Sequence, residues 1–299
     1  MKPVRHWLSL TDYSRDEILA LLARSGEIKR GIPGKGREKP LDGRVVGLIF
    51  QKPSTRTRVS FEVGIHQLGG QSIFLNWNDI QIGRGEPIRD TARVLSRYLD
   101  AIVIRTYGHD VLEEFALWAS VPVINALSDL LHPCQVLGDL LTLQEAGLDV
   151  TTMKAAWIGD GNNVANSWIN AARRLGFRLT LACPEGYDPA IGWHTDRIVI
   201  TRDPVEAVRG ADVVSTDVWA SMGQEEEIDE RKHVFQGYQL NAALLAHASA
   251  NAYVLHCLPA HRGEEITDEV MESERSLIWD EAENRLHVQK AILEMLLRR

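Results

Sequence analysis

The sequence predicts an α/β protein of two domains, each a parallel β-sheet flanked by helices. Three observations carry this. Short apolar runs alternate with amphipathic runs of helical period along the 299 residues, the mark of parallel strands covered on both faces. The alternation runs through twice, with a pause between about Ala126 and Lys154, and a chain of this length holds a large core and two domains of ordinary size. Polar residues gather where the apolar runs end, which is where open parallel sheets bind ligands.

The elements follow in order. Thr11-Asp12-Tyr13-Ser14 reads as a helix cap, and Ile18, Leu19, Leu21 and Leu22 give a helical pattern over residues 14–28. Pro33-Gly34-Lys35-Gly36 breaks it and reads as an exposed loop. Val45–Phe50 is a buried strand, and the helix after Arg56 sets Phe61, Ile65 and Leu68 on one face before stopping at Gly69-Gly70. Next come a strand over 72–77, a helix near 88–99, a strand over 101–107, a helix near 111–118 and a strand over 121–126. The second round has a helix near 136–146, a strand over 155–159, a helix near 164–175, strands over 179–183 and 197–201, a helix near 205–210, and strands over 213–216 and 253–258. Leu286, Ile292, Leu293, Leu296 and Leu297 place a closing helix over 284–299.

Composition narrows the class. Apolar and charged fractions of 44% and 25% are those of a globular protein rather than a disordered one. A formal net charge of −8 argues against a general nucleic-acid binder but leaves local anion sites open. Cys134, Cys183 and Cys257 have neither zinc nor disulfide spacing and fit a reducing compartment. No apolar run approaches the length of a membrane span, and the start lacks a signal-peptide core, so a cytoplasmic protein is expected.

The chemistry sits at the strand ends. After Val45–Phe50 comes Lys52-Pro53-Ser54-Thr55-Arg56-Thr57-Arg58 at a helix start. Unpaired backbone N–H groups, the helix dipole and guanidinium forks there suit an oxyanion, although an ordinary Ser/Thr cap with solvated arginines reads equally well. Other ends carry Arg105-Thr106-Tyr107, His132-Pro133-Cys134-Gln135, Gly159-Asp160-Gly161-Asn162-Asn163, Asp217 through Gly223, and Cys257-Leu258-Pro259. Each has a plain structural reading: Arg105 as a surface ion pair, His132 as a turn residue, Cys257 as a small buried apolar group, Glu225-Glu226-Glu227 as a solvated run. Gly159-Asp160-Gly161 resembles a dinucleotide turn, but its third glycine position is Val164.

Taken together, Ser54-Thr55-Arg56-Thr57-Arg58, His132-Pro133-Cys134-Gln135, Asp217-Val218-Trp219-Ala220-Ser221-Met222-Gly223 and His256-Cys257-Leu258-Pro259 closely resemble the ornithine carbamoyltransferases. Gln81 through Glu86 and Asp90 through Arg97 resemble the same family, so the likeness spans nearly the whole chain. It implies the carbamoyltransferase fold. A carbamoyl phosphate domain would cover 1–131, an ornithine domain 132–282, and a C-terminal helix over 283–299 would pack back on the first domain. It implies transfer of the carbamoyl group of carbamoyl phosphate to the δ-amine of L-ornithine, giving citrulline and phosphate. No cofactor, metal, nucleic acid or membrane is implied, and trimers or multiples of them are.

The resemblance also implies roles. Ser54, Thr55, Arg56, Thr57 and Arg105 would hold the phosphate, with Gln81 reaching a neighbouring subunit's site. Thr57, Arg105 and His132 would polarise the carbonyl, and Gln135 would accept from the carbamoyl NH2. Arg285, just before the last helix, would touch the carbamoyl group. Asp217 would pair with the α-ammonium of ornithine, and Asn163, Ser221 and Met222 would receive its carboxylate. Cys257 and the Leu258 carbonyl would sit beside the δ-amine, with Cys257 orienting through Asp217. Carbamoyl phosphate would bind first, and the loop after Ser221 would act as a lid. The alternatives are a carbamoyltransferase for putrescine, lysine or an acylated ornithine, a nicotinamide-dependent dehydrogenase, and a catalytically silent interaction protein.

Overall fold

The computed structural model describes residues 4–31, 39–192, 195–220 and 228–298. The Pro33–Gly36 loop, Ser221, Met222, Gly223 and the acidic run at 225–227 lie outside them. The chain divides into two compact units, Met1–Leu141 with Asn284–Arg299, and Thr142–Glu283.

In the first unit, α1 (Arg15–Arg30) starts at a capping box in which Ser14 Oγ accepts from Glu17 N and Glu17 accepts from Ser14 N. These bonds satisfy donors the helix start leaves open. Strands β1 (Val45–Phe50), β2 (Gln71–Asn76), β3 (Ala101–Arg105) and β4 (Val123–Leu127) form a four-stranded sheet in the order β2-β1-β3-β4, every pair parallel. Helices α2 (Thr55–Gln67), α3 (Ile88–Leu95) and α4 (His109–Trp118) connect them. Ile49, Ile102, Ile104, Leu112, Phe115 and Val123 form a core at the β3–α4 side. His6 to Leu8 seal the β4 edge, with Trp7 N donating to Val123 O at 2.9 Å and Asn125 N to Trp7 O at 2.7 Å. An edge so covered cannot recruit a stray strand.

Helix α5 (Pro133–Glu145) leads on to the second unit, where β5 (Lys154–Ile158), β6 (Arg178–Ala182), β7 (Ile198–Thr201), β8 (Val213–Thr216) and β9 (Tyr253–His256) form a five-stranded parallel sheet in the order β7-β6-β5-β8-β9. Helices α6 (Asn163–Leu175) and α7 (Pro204–Val208) lie between strands, and the short helices α8 (Ile228–Val234), α9 (Ala242–Leu245) and α10 (Asp268–Met271) follow β8 and β9. Ile158, Val208, Val214, Leu240, Val254, Ile266 and Ile278 share one core.

The closing helix α11 (Ile278–Leu297) differs from the expectation. It begins well before Asn284, so Arg285 lies inside it rather than just ahead of it. Asp280 and Glu281 in its first turn are the start signal, favourable at the positive end of the helix dipole. The apolar residues used to place the helix lie further along.

Both sheets reverse strand order once. In the first the chain leaves β1 for β2 and returns to β3 on the other side; in the second it leaves β5 for β6 and returns to β8. Connections diverge at these two points, and in open parallel sheets ligands bind at the strand C-termini beside such a divergence.

Candidate functional site

In the first unit the reversal lies between β1 and β3. After β1, Lys52-Pro53 ends the strand and Ser54 caps α2, extended at φ −164° and ψ 118°, its Oγ accepting from Thr57 N at 3.2 Å. Thr55 and Arg56 are exposed on the first turn, and Thr57 is fully buried beneath them. Thr57 Oγ1 accepts from Arg285 Nη2 at 2.7 Å, so its own hydroxyl proton points elsewhere and can be donated. Arg285 reaches Thr57 from α11, which runs close to α5: a Cβ on Gly138 would lie 3.3 Å from Arg285 Cγ.

At the end of β3, Arg105 is buried. The register shifts between Ile104 and Arg105, which pair with Asn125 and Leu127. Such a bulge re-aims the side chain at a strand end. His132, just before α5, is buried and faces Arg285, Arg105 and Arg56. Burial first, then repulsion by those three guanidinium groups, holds its pKa well below the ordinary 6.5. At neutral pH it is a neutral imidazole among three cations, able to donate one N–H without carrying charge. Gln135, on the first turn of α5, donates Nε2 to Asp139 Oδ1 at 2.9 Å. A carboxylate only accepts, so the amide nitrogen must face Asp139 and the amide oxygen is turned the other way.

Sequence reasoning gave Lys52 no task. Its ammonium is buried between the Asp129 carboxylate, with which it forms a short ion pair, and the Tyr107 ring, 4.1 Å from the centroid. It thereby ties together the segments after β1, β3 and β4. Gln81 opens a short 3-10 turn, Gln81–Arg84, and is exposed; among the described residues its side chain bonds none of the others expected to hold carbamoyl phosphate.

In the second unit the reversal lies between β5 and β8. Gly161 sits where a Cβ would come within 2.2 Å of Pro189 N, and its N–H donates to Tyr187 O at 2.9 Å. The crossing segment at 187–189 therefore requires a glycine, and no nucleotide is needed to explain the Gly-Asp-Gly. Asn162 caps α6, its Oδ1 accepting from Val164 N at 2.9 Å and Ala165 N at 3.2 Å. Its Nδ2 donates to Asp217 Oδ2 at 2.8 Å. Asn163, the residue expected here, opens α6 half-buried, and its carbonyl accepts from Ser167 Oγ.

Asp217 follows β8 and is buried. Its Oδ1 accepts from the Cys257 thiol at 2.8 Å and from Val218 N at 2.8 Å. Cys257 follows β9, the neighbour of β8, in register through Thr216↔His256. Leu258 has φ +57°, unusual for a residue with a branched side chain, and donates its N–H to His256 Nδ1 at 2.9 Å. That bond puts the imidazole proton on Nε2, which donates to the fully buried Glu265 at 3.0 Å. The Glu265–His256 pair thus holds the turn that carries Cys257 and Leu258.

Two groups have metal-ligand spacing. Asp217, His256 and Cys257, and separately His261, Glu264 and Glu265, each bring one ligand atom within 4.8 Å of the others. In the first group both ring nitrogens of His256 are already engaged, leaving no lone pair for a metal. In the second, Glu264 pairs with Lys232 at 2.7 Å.

A further residue absent from the sequence reading braces this half. Arg231 on α8 is buried and donates Nη1 to Asp160 Oδ2 at 2.9 Å and to Trp219 O at 2.8 Å. Asp160 lies two residues before Asn162, and Trp219 two after Asp217. Trp219 also stacks on Phe235, with ring centroids 6.0 Å apart.

Comparison with known proteins agrees across the chain. A family model described as aspartate/ornithine carbamoyltransferase, carbamoyl-P binding domain, matches residues 5–145, and the corresponding Asp/Orn binding domain matches 151–296. The ornithine carbamoyltransferase of Geobacter metallireducens is 56% identical over 98% of this chain and 99% of its own length. The anabolic ornithine carbamoyltransferase of Pseudomonas aeruginosa is 54% identical over 98% of this chain and 97% of its own. Among solved structures, ornithine carbamoyltransferase from Pyrococcus furiosus superposes with a TM-score of 0.92 at 48% identity, covering 97% and 96% of the two chains.

Proposed function

Because the chain belongs to the aspartate/ornithine carbamoyltransferase family, we propose that it transfers the carbamoyl group of carbamoyl phosphate to the δ-amine of L-ornithine, releasing citrulline and phosphate. The observation that carries the choice of ornithine is Asp217, a buried carboxylate at a strand reversal, bonded by Asn162 and Cys257. It suits the α-ammonium of an amino acid.

The first unit supplies the electrophile's site. Ser54, Thr55, Arg56 and Thr57 hold the phosphate through hydroxyls, backbone N–H groups and a guanidinium, and Arg105 supplies a second guanidinium. Charge on the phosphate grows as the C–O bond breaks, so these donors stabilise the transition state more than the bound substrate. Thr57, Arg105 and the neutral His132 donate to the carbonyl oxygen as the amine adds. The Arg285 bond to Thr57 supports this reading, because it leaves the threonine hydroxyl as a donor. Losing one such donor costs on the order of 3 kcal/mol in the barrier, about a hundredfold in rate. Gln135, held by Asp139, turns its amide oxygen to the carbamoyl NH2.

The second unit supplies the nucleophile's site. Asp217 takes the α-ammonium, and Asn163, Ser221 and Met222 take the carboxylate. Cys257 and the Leu258 carbonyl lie along the side chain toward the δ-amine, which attacks unprotonated. The Cys257 thiol donates to Asp217 and so acts as an orienting group, not as a thiolate. The amine proton leaves with the departing phosphate or solvent.

We also read the protein as a trimer or a multiple of trimers, with Gln81 serving a neighbouring site. The exposed Val59 and Val63 on α2 and Ile73 on β2 support an assembly surface; light scattering with size exclusion tests it. We place the protein in the cytoplasm, on the three free cysteines. Among the described residues no helix is long and apolar enough to cross a membrane.

A panel of amines with carbamoyl phosphate tests the assignment: ornithine, putrescine, lysine and N-acetylornithine. Ornithine should give the highest kcat/KM by a wide margin. Preference for putrescine, which has no carboxylate or α-ammonium, would overturn it.

A further inference from the structure

Asn162 carries two tasks at one amide. Its Oδ1 accepts from two backbone N–H groups at the start of α6, Val164 at 2.9 Å and Ala165 at 3.2 Å. Backbone N–H groups only donate, so the amide oxygen must face the helix. The amide nitrogen is thereby forced toward Asp217, 2.8 Å from Oδ2, and that carboxylate can only accept. The orientation is set by chemistry at both ends.

The acceptor sites of Asp217 can then be counted. An ionised carboxylate offers about four, two on each oxygen. Oδ1 accepts from the Cys257 thiol and from Val218 N, and Oδ2 from Asn162. Among the described residues these are its donors, and they leave one acceptor direction, on Oδ2 beside the Asn162 amide.

We propose that Asn162 is a positioning and specificity-determining residue: it occupies one lone pair of Asp217 Oδ2 while Cys257 and Val218 fill Oδ1, and so leaves a single direction from which an α-ammonium group can bind. This rests on the assignment of Asp217 to the α-ammonium of ornithine. Asn162 need not touch the substrate. It acts through Asp217, and its cap on α6 ties that direction to the turn that also carries Asn163.

Asn162→Ser separates the tasks, because serine is as good a helix cap as asparagine but has no amide nitrogen to reach Asp217. Asn162→Asp keeps the cap and turns the donor into a second carboxylate. The informative substrate pair is ornithine and 5-aminopentanoate, which keeps the nucleophilic amine and the carboxylate but lacks the α-ammonium. Asn162→Ser should lower kcat/KM for ornithine on the order of ten- to a hundredfold, the loss expected for a hydrogen bond to a charged group, mainly through KM. Its kcat/KM for 5-aminopentanoate, its KM for carbamoyl phosphate and its melting temperature should match the parent. Asn162→Asp should lose more with ornithine and again little with 5-aminopentanoate. Equal losses with both amines would mean a merely structural role and overturn the proposal, as would an unchanged ornithine KM in Asn162→Ser. Asp217→Asn is the separate check on the underlying assignment: if it leaves ornithine KM unchanged, the α-ammonium does not bind there, whatever Asn162 does.

Discussion

Replacing Arg231 with methionine removes the brace between the turn after β5 and the turn after β8. Both partners of the ion pair are nearly inaccessible, with side-chain exposures of 7% for Arg231 and 12% for Asp160, and the N–O distance is 2.9 Å. Methionine fills much of the same volume, so the main loss is electrostatic: the buried Asp160 carboxylate loses its ion pair with Arg231, and the Trp219 carbonyl loses a donor. Removing one partner of a buried pair costs about 3–5 kcal/mol. For a unit of this size each kcal/mol lowers the melting temperature by roughly 2–4 °C, so the shift should be about 6–20 °C. The double variant Arg231→Met with Asp160→Asn removes both charges and should recover at least half of that loss. Scanning calorimetry on the two single variants and the double measures the coupling. Kinetics on the same proteins should show ornithine KM raised and carbamoyl phosphate KM nearly unchanged, because Asp160 and Trp219 flank Asn162 and Asp217. A single variant no less stable than the double would refute the reasoning, since it would mean that Asp160 is not held as a buried charge by Arg231.

Arg56→Ala should reduce turnover at least on the order of a hundredfold, with the loss seen in kcat as well as in carbamoyl phosphate KM; retained turnover would remove Arg56 from the phosphate site. Cys257→Ser keeps a donor to Asp217 and should change ornithine kcat/KM less than Cys257→Ala, which leaves Oδ1 with Val218 N alone. Acid should weaken the fold through His132. Its folded pKa is depressed, so the unfolded chain binds a proton first and stability falls as pH drops below about 6.5. His6 and His109, both lowered mainly by burial, add the same sign. Denaturant titrations between about pH 7.5 and pH 5 should show a smaller loss for His132→Gln than for the parent, and an equal slope would contradict the depressed pKa.

The strands were legible because their apolar runs are long and bounded by polar turns. Val45–Phe50 and Val213–Thr216 are found where periodicity puts them. What the sequence could not show is that the polar strand ends belong to neighbouring strands, β1, β3 and β4 in one sheet and β5, β8 and β9 in the other. Sheet order is not written in local pattern. Helices α8, α9 and α10 escaped notice because seven or four residues are too few to display a helical period.

The supporting residues were harder still. Arg231 and Asp160 are 71 positions apart, and Lys52 and Asp129 are 77 apart. Charged residues in isolation read as solvated surface, and only the fold reveals that Arg231 and Asp160 are buried together and that Lys52 is buried against a more exposed Asp129. Asn162 and Asn163 are adjacent and chemically identical, so no motif could say which one reaches Asp217. Cap geometry decides it, and the signal was present in outline: an Asn directly before a helical run is a cap candidate.

We propose transfer of the carbamoyl group to ornithine, with the residues after β1 and β3 serving carbamoyl phosphate and those after β5, β8 and β9 serving ornithine. Product stoichiometry tests it most directly. With ornithine and carbamoyl phosphate supplied, citrulline and phosphate should appear in equal amounts, and without ornithine phosphate release should fall to the rate of spontaneous breakdown. Phosphate released at the same rate with or without ornithine, or a carbamoylated product other than citrulline, would contradict the account.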